Sequence, residues 1–193
     1  RIELGFDPGP IVEVSIQAPK SRFPNDRQAA QFFDQAVDRI RSIPGVVAAT
    51  TADVAPLSGA LFGTRVRIEG HSRDERVDSY RVAVGYFETL GIPLVKGRML
   101  ARQDGLAKAE AAVINETLAK RYWNSAAAVG RLITVGKDTH VRVVGVVRDV
   151  RNDVRKPPAP TVYVPYDSSY RLFRARTLIV RTMPGHGDVG PAI

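Results

Sequence analysis

The sequence has no cysteine in its 193 residues. It also has no apolar run that approaches the roughly 20 residues needed for a membrane-spanning helix. The missing thiols exclude disulfide frameworks, thiolate nucleophiles and cysteine-based zinc sites. No signal peptide is visible either. The remaining composition, 44% hydrophobic and 25% charged, is that of a globular protein with a buried core, in one large domain or two small ones.

Catalytic and phosphate-binding motifs are missing as well. The three histidines, His71, His140 and His186, lie in polar or glycine-rich segments without a second ligand at metal-binding spacing. Ser58 stands in Pro-Leu-Ser-Gly, which differs from the G-x-S-x-G turn that presents a nucleophilic serine. No glycine pattern matches a phosphate-binding loop. We therefore predict no catalytic residue, no metal ligand and no cofactor in this chain.

The chain is basic, with a formal net charge of +8, but its cations are spread singly. The two denser groups are Arg148–Lys156, which two aspartates interrupt, and Tyr170–Arg176. Because nucleic-acid sites combine clustered cations with exposed aromatic residues, this spread favours a diffuse basic surface and no nucleic-acid partner. The scattered carboxylates, among them Asp104, Asp149 and Asp153, are predicted to form local ion pairs or to lie in solvent.

A β-α-β unit is predicted at the N-terminal end. Ile11–Pro19 alternates apolar and polar residues as a strand does, and Val46–Val54 is the next strand. Between them a helix begins after Asn25 as N-cap, with Gln28 in the capping-box position, and ends at Pro44-Gly45. Its apolar face consists of Ala29, Phe33, Ala36, Val37 and Ile40. A right-handed crossover between parallel or near-neighbour strands is the expected connection.

The middle of the chain is predicted to be rich in strands with short helices. In Arg81–Leu100 a strand leads to a short helix that buries Phe87 and Leu90, ends at Gly91 in the left-handed conformation, and is followed by a second strand. Asn115 is predicted to cap a further helix over Glu116–Trp123.

The last third is predicted to be mostly strands. Gly136-Lys137-Asp138 is the predicted turn between two paired strands, and Gly145 indicates a bulge or a close backbone approach. Two more strands follow, and a helix is expected to begin at Gly187. The pattern predicts an α+β, or mixed α/β, protein with two lobes.

A series of short segments then resembles one known family. They are GFDP, SIPGVVAATTADVAPLSG, YRVAVGYFETLGIPLVKGR, AAVINETLAKRYW, VGRLITV, RVVGVVRDVR, PPAPTVYVPY and TLIVRT. In this order and spacing the chain resembles the periplasmic core domain of MacB-like, FtsX-type ABC transporter permeases. It is most similar to the often duplicated permeases, common in acidobacteria, that carry no fused ATPase domain.

The resemblance implies a two-lobed architecture. Residues 1–56 and 155–193 are expected to form a porter-like β-α-β lobe, with its C-terminal part cut short. Residues 57–154 are expected to form an inserted, strand-rich, mixed α/β lobe. The chain is then a fragment of a longer protein, placed between the first and second membrane helices of a permease.

The resemblance also implies a function. It describes a non-enzymatic domain at the periplasmic face of the bacterial cytoplasmic membrane, which couples cytoplasmic ATP hydrolysis to export or to the action of a periplasmic partner. The implied partners are the transmembrane helices of its own permease, a cytoplasmic ABC ATPase subunit and a periplasmic adaptor protein, in a homodimeric transporter. The alternative is a soluble periplasmic ligand-binding or enzyme domain with a cleft between its lobes. No residue selects a transported substrate.

Two loops of the inserted lobe are the candidate docking surface for a partner. They are Leu57–Gly63 and His71–Arg76, which are polar or rich in small residues and have no evident packing role. The candidate residues are Leu57, Ser58, Leu61, Phe62, His71, Arg73 and Arg76.

Overall fold

The computed structural model describes residues 3–59, 62–71, 73–105, 110–123, 125–166 and 174–185. These residues form ten strands, four α-helices and one short 3-10 helix over Arg102–Gly105. The strands are β1 (Ile11–Gln17), β2 (Val46–Ala52), β3 (Gly63–Ile68), β4 (Glu75–Val82), β5 (Leu94–Gly97), β6 (Glu110–Asn115), β7 (Leu132–Val135), β8 (Thr139–Val147), β9 (Thr161–Pro165) and β10 (Ala175–Thr182). The helices are α1 (Asp26–Arg41), α2 (Tyr86–Leu90), α3 (Glu116–Tyr122) and α4 (Ser125–Ala128).

The β1-α1-β2 unit forms where the sequence predicts it. The side chain of Asn25 accepts a hydrogen bond from the Gln28 amide at 2.9 Å, which starts α1. α1 then buries Ala29, Phe33, Val37 and Ile40, because these residues recur at helical spacing on one face. β10 lies between β1 and β2 and runs antiparallel to both, so that β1 and β2 are parallel strands separated by one position.

Six other strands close into a ring. The order is β4-β3-β7-β8-β6-β9, and β9 pairs again with β4. The β8–β6 and β9–β4 pairs are parallel and the other four are antiparallel. Closure gives each of these six strands a partner on both sides, which limits pairing of their edges with other chains. β5 pairs with the last residues of β8, beyond the part of β8 that pairs with β7.

The ring and the β1-β10-β2 sheet are joined by little strand pairing but by a common core. β2 contacts β4 through one residue pair, Ala52 and Val82. Both residues belong to a hydrophobic cluster that also takes Ile179 from β10 and Tyr163 from β9. A second cluster, which includes Val66, fills the interior of the ring.

The segment Arg81–Leu100 is part of this scaffold. α2 buries Phe87 and Leu90, each 1% exposed, against the shared cluster. The ring of Phe87 meets that of Tyr163 edge to face with 5.1 Å between centroids. Gly91 ends the helix with φ 63° and ψ 32°, the left-handed conformation that the sequence predicts.

Gly145 provides the close approach that its position within a strand predicts. A Cβ atom built on it would collide with the carbonyl oxygen of Arg98, because the chain leaving β5 crosses β8 at this point. The pairing of β6 with β8 shifts register beside it, between Ala112 and Val113.

One predicted turn is wrong. The candidate docking loop His71–Arg76 is expected to be irregular, but β4 begins at Glu75, so that Arg76 is a strand residue. Gly63, expected at the end of a loop, is the first residue of β3. The cause is nonlocal: β4 is held by β3 on one side and β9 on the other, and this backbone pairing outweighs the polar character of its first residues.

Candidate functional site

The first candidate docking loop carries backbone strain at Leu57. Its φ is +64°, a left-handed conformation that is unusual for a bulky residue, and 42% of its surface is exposed. Such strain costs of the order of 1–3 kcal/mol and is found mostly at functional positions. Ser58 follows it, and its amide donates to the carbonyl of Ala55 in a turn. Phe62 is also exposed, by 45%, and Leu61 lies outside the described residues.

His71, in the second loop, has a packing contact. Its ring meets Tyr122 of α3 edge on, with 4.8 Å between centroids, and its amide donates to the Ile68 carbonyl at 3.0 Å. Burial raises the pKa of Tyr122 to about 12. His71 therefore holds the β3–β4 turn against α3, a role that the sequence did not indicate.

Arg73 and Arg76 lie in a concave surface between β3, β4 and the β7–β8 turn, which we call the basic groove. Its volume is about 1290 Å³, and it is open to solvent. Five cationic side chains and two carboxylates line it. The lining residues are Gly63, Thr64, Arg65, Arg67, Arg73, Asp74, Arg76, Gly136, Lys137 and Asp138.

Strand alternation puts the arginines of the basic groove on one face. In β3, Arg65 and Arg67 point to solvent while Val66 and Ile68 are buried. Arg76 of β4 stands directly opposite Arg65. Alternation in the sequence TRVRIEG was sufficient to put Arg65 and Arg67 on one face, but nothing local indicated that Arg76 would join them.

A second concavity, of about 330 Å³, lies between α1 and the segments around Ala83 and Ala101. The guanidinium of Arg41 in its wall donates to the carbonyl of Ala49 at 2.8 and 3.1 Å and lies 3.5 Å from Asp38. These contacts hold α1 against β2. The alternative of a ligand-binding or enzyme domain calls for a deep cleft with converging titratable groups, and this small cleft gives it no support.

The carboxylates that might suggest acid–base chemistry have structural contacts. Asp104 makes a bidentate pair with Arg98, at 2.6 and 2.8 Å, and this contact lowers the pKa of the carboxyl. The hydrogen bond from Arg155 lowers the pKa of Asp153 to about 2. Asp149 accepts from the amide and hydroxyl of Thr117 at the start of α3. The predicted local ion pairs are therefore confirmed for Asp104 and Asp153.

Within the described ranges, no three His, Asp or Glu side chains are grouped so that they could hold a metal ion. In the same ranges, no helix has the length and apolar character that crossing a bilayer requires.

Asp53 is a buried carboxylate whose pKa is raised although it has hydrogen-bond and ionic partners. It follows β2, its side chain is 7% exposed, and its carboxylate accepts from the amides of Val54 and Arg81, both at 3.1 Å. The Arg81 guanidinium lies 3.8 Å away. Burial outweighs these contacts and raises the pKa of Asp53 to about 6. The carboxylate therefore ionises in the folded protein at a cost.

This cost predicts a pH dependence of stability. The folded-state pKa of Asp53 lies above the unfolded value, so its stabilising contribution is complete below about pH 4 and is lost as the pH rises through 6. We expect the free energy of unfolding to fall by about 2 kcal/mol between about pH 4 and pH 7 on account of this group. Asp53→Asn removes the titration but keeps an acceptor for only one of the two backbone amides, so we expect it to be less stable than the parent protein at pH 4. Chemical denaturation of both proteins across this range should give converging curves, and parallel curves would refute the assignment.

Comparison with known proteins gives the class. The sequence model of the family of MacB-like periplasmic core domains matches residues 2–187. The chain therefore belongs to the family of MacB-like periplasmic core domains, as the resemblance in its sequence indicated. No curated protein sequence matches the chain.

Solved structures agree with this fold. The extracellular domain of the noncanonical ABC-type transporter YknZ from Gram-positive bacteria is 17% identical, with a TM-score of 0.60 over 91% of this chain and 85% of that one. The periplasmic region of MacB from Actinobacillus actinomycetemcomitans is 14% identical, with a TM-score of 0.63 over 97% and 81%. A domain of a putative permease from Porphyromonas gingivalis is 20% identical, with a TM-score of 0.53 over 78% and 67%.

The family defines where the chain acts. MacB-like periplasmic core domains are extracytoplasmic parts of ABC transporter permeases, so this chain is such a domain of a membrane protein. The mixed α/β fold class is confirmed by the same likeness. The permease and its ATPase follow as partners from membership in the family.

Proposed function

We propose that this chain is a non-catalytic relay, which couples ATP hydrolysis in the cytoplasm to export or to the action of a periplasmic partner. The observation that carries the proposal is the family match over residues 2–187. The structural use of Asp104, Asp149 and Asp153 supports a domain without catalysis. Its proposed partners are a second copy of the permease, the ATPase subunit and a periplasmic adaptor that docks on the inserted lobe.

The strand pairing supports a division into two lobes. We propose a porter-like lobe from residues 1–56 and the C-terminal segment with β10, and an inserted lobe that begins at residue 57. The boundary at 154 is better moved past β9, since β9 pairs with β4 and β6 of the ring. Leu57, Ser58, Phe62, His71, Arg73 and Arg76 all belong to the inserted lobe.

The relay is proposed to work by movement of the whole domain. Ala52, Val82, Tyr163 and Ile179 belong to one buried cluster that both lobes share. Large apolar contacts between lobes oppose independent motion. Movement of the membrane helices is therefore passed on by the domain as one body, so that the docking surface moves with the permease.

Spin labels test this mechanism. The described chain has an exposed glutamine, Gln35, on α1 and an exposed lysine, Lys120, on α3, and its 193 residues contain no cysteine of their own. In the full transporter with its ATPase, labels at Lys120→Cys in two copies should report a different distance after trapping with ATP and vanadate. The pair Gln35→Cys with Lys120→Cys, diluted with unlabelled copies, should report no change.

The outcomes separate the alternatives. A distance between copies that is the same with and without trapped nucleotide would contradict the relay. A change within the Gln35–Lys120 pair would show that the lobes move against each other and would contradict movement as one body. The Lys120 side chain pairs with Glu116 within α3, so its replacement leaves the ring intact.

A further inference from the structure

The basic groove contains a pair of like charges that folding does not need. Arg65 and Arg76 stand directly opposite each other on antiparallel strands. Like charges in this position destabilise a sheet, whereas opposite charges stabilise it. Neither side chain has a carboxylate within 4 Å in the part of the chain that the structure describes. This repulsion between Arg65 and Arg76 opposes folding, which suggests that the pair serves another purpose.

Neighbouring arginines show the contrast. Arg67, two residues further along β3, forms an ion pair with Asp74 at 3.0 Å. The nearby charge of Asp138 also favours the charged form of Arg67. Arg76 interacts electrostatically with Asp78 of the same strand. Burial raises the pKa of Asp78, and the charge of Arg76 opposes this effect. Asp74 and Asp138, the two carboxylates that line the groove, both interact with Arg67, so that the five cations of the lining keep an excess of positive charge.

Gly63 leaves room for the side chain of Arg76 in the groove. The Arg76 side chain lies across Gly63, where a Cβ atom would stand 3.2 Å from its Nε atom. A larger residue at Gly63 would displace this guanidinium. The turn that carries Lys137 is attached to β3 by a hydrogen bond from the Gly136 amide to the Arg65 carbonyl, at 2.8 Å. The cations are therefore held by two paired strands and a fixed turn.

The chemistry of the groove fits an acidic polypeptide better than a bilayer. Asp74 and Asp138 line the groove together with five cations, so a continuous anionic surface would also bring negative charge against these two carboxylates. An extended segment can place its carboxylates beside the arginines and keep them apart from Asp74 and Asp138. Guanidinium groups bind carboxylates through two parallel hydrogen bonds. Phe62, 45% exposed and adjacent to Gly63, offers an apolar contact of the kind found at protein interfaces.

We propose that the basic groove docks an acidic segment of a partner protein, whose carboxylates pair with Arg65 and Arg76. The proposal rests on the proposed function, since it assigns the place and the chemistry of partner docking. It narrows the candidate surface to Phe62, Arg73 and Arg76 among the residues expected from sequence, and it adds Arg65 and Lys137. Leu57 and His71 are not part of it.

The test is a titration of the isotope-labelled 193-residue chain, followed by amide chemical shifts at low salt. The probes are a short peptide of alternating glutamate and glycine, vesicles of phosphatidylglycerol, and inorganic phosphate. We expect the peptide to shift the amides of β3, β4 and the Gly136–Asp138 turn. Arg65→Gln with Arg76→Gln should weaken peptide binding at least about tenfold, because both carboxylate contacts are removed.

A matched control keeps the change of net charge constant. Arg27→Gln with Arg39→Gln removes two exposed cations from α1 and should leave peptide binding unchanged. The midpoint of thermal unfolding of Arg65→Gln with Arg76→Gln should be unchanged or raised, because a repulsive pair is removed. Loss of binding in that variant is then not loss of folding.

Each other outcome overturns the proposal. Equal weakening by both double variants would mean attraction to net charge alone. Binding of vesicles without binding of the peptide would make the groove a membrane contact, and binding of phosphate alone would make it an anion site. If none of the probes changed the amide chemical shifts, the groove would have no role in docking. The titration uses no ATP, so a negative result contradicts docking in the basic groove but not the proposed relay. A negative result of the spin-label experiment contradicts the relay but not docking in the groove.

Discussion

Replacement of Asn115 by alanine is expected to lower the free energy of unfolding by about 3–5 kcal/mol. Asn115 is completely buried where β6 ends and α3 begins. Its Oδ1 atom accepts from the amides of Leu118, at 3.0 Å, and Thr161, at 2.9 Å, and its Nδ2 atom donates to the Ala159 carbonyl at 2.8 Å. Alanine leaves two amides and one carbonyl without these partners in a site closed to water. Chemical denaturation measures the loss.

The matched control is Asn25→Ala, at the start of α1. Asn25 is also an N-cap, but it is exposed and accepts one hydrogen bond, from Gln28. Water replaces that partner, so we expect a loss of about 1 kcal/mol. The extra loss of stability in Asn115→Ala is expected to come from its buried contacts to the segment before β9. If the two variants lost the same free energy of unfolding, Asn115 would have no structural role beyond capping α3.

Replacement of Gly145 by alanine is expected to cost about 3 kcal/mol or more. The new methyl group would meet the carbonyl oxygen of Arg98, which is backbone and cannot rotate away as a side chain does. To make room, the chain that leaves β5 must separate from β8. This separation breaks the hydrogen bond from the Arg98 amide to the Val144 carbonyl, at 2.9 Å, and disturbs the pairing of Gly97 with Gly145. Thermal or chemical unfolding measures the effect.

Gly59→Ala distinguishes lack of space from backbone strain. Gly59 has φ +78° and no atom within 4 Å of an added Cβ, so alanine there meets only the left-handed conformation. The expected cost is about 1 kcal/mol. If Gly145→Ala were no more destabilising than Gly59→Ala, the close approach of β5 to β8 would not be what requires glycine at position 145.

The two largest predicted losses of stability concern residues that maintain the fold, whereas the basic groove is proposed to bind a partner. This difference helps to interpret variants that lose docking. Asn115 and Gly145 maintain the ring, so changes there alter folding and docking together. Arg65 and Arg76 stand on the outer face of the ring and oppose each other, so their replacement alters docking without loss of folding. A variant that loses binding while it gains stability is the signature of a surface selected for a partner.

Much of the local structure followed from the sequence alone. The Asn25 and Asn115 caps, the left-handed Gly91 and the turn at Gly136 were all predicted, because each depends on interactions within a few residues of the chain. Gly145 was predicted as a close approach, because glycine within a strand has few other reasons. The family was also evident, since the order and spacing of many weak segments is specific even where no single segment is.

The tertiary structure alone decided most of the strand partners and the basic groove. No local pattern puts β10 between β1 and β2, or closes the ring through β9, because partner choice depends on backbone hydrogen bonds and shared burial between distant segments. The polar start of β4 has the sequence pattern of a turn, and its pairing with the distant β3 makes it a strand. Arg65 and Lys137 are ordinary surface cations in the sequence. They share a groove with Arg76 only because β3 pairs with β4 and with β7, and charge has no periodicity that would reveal such a meeting.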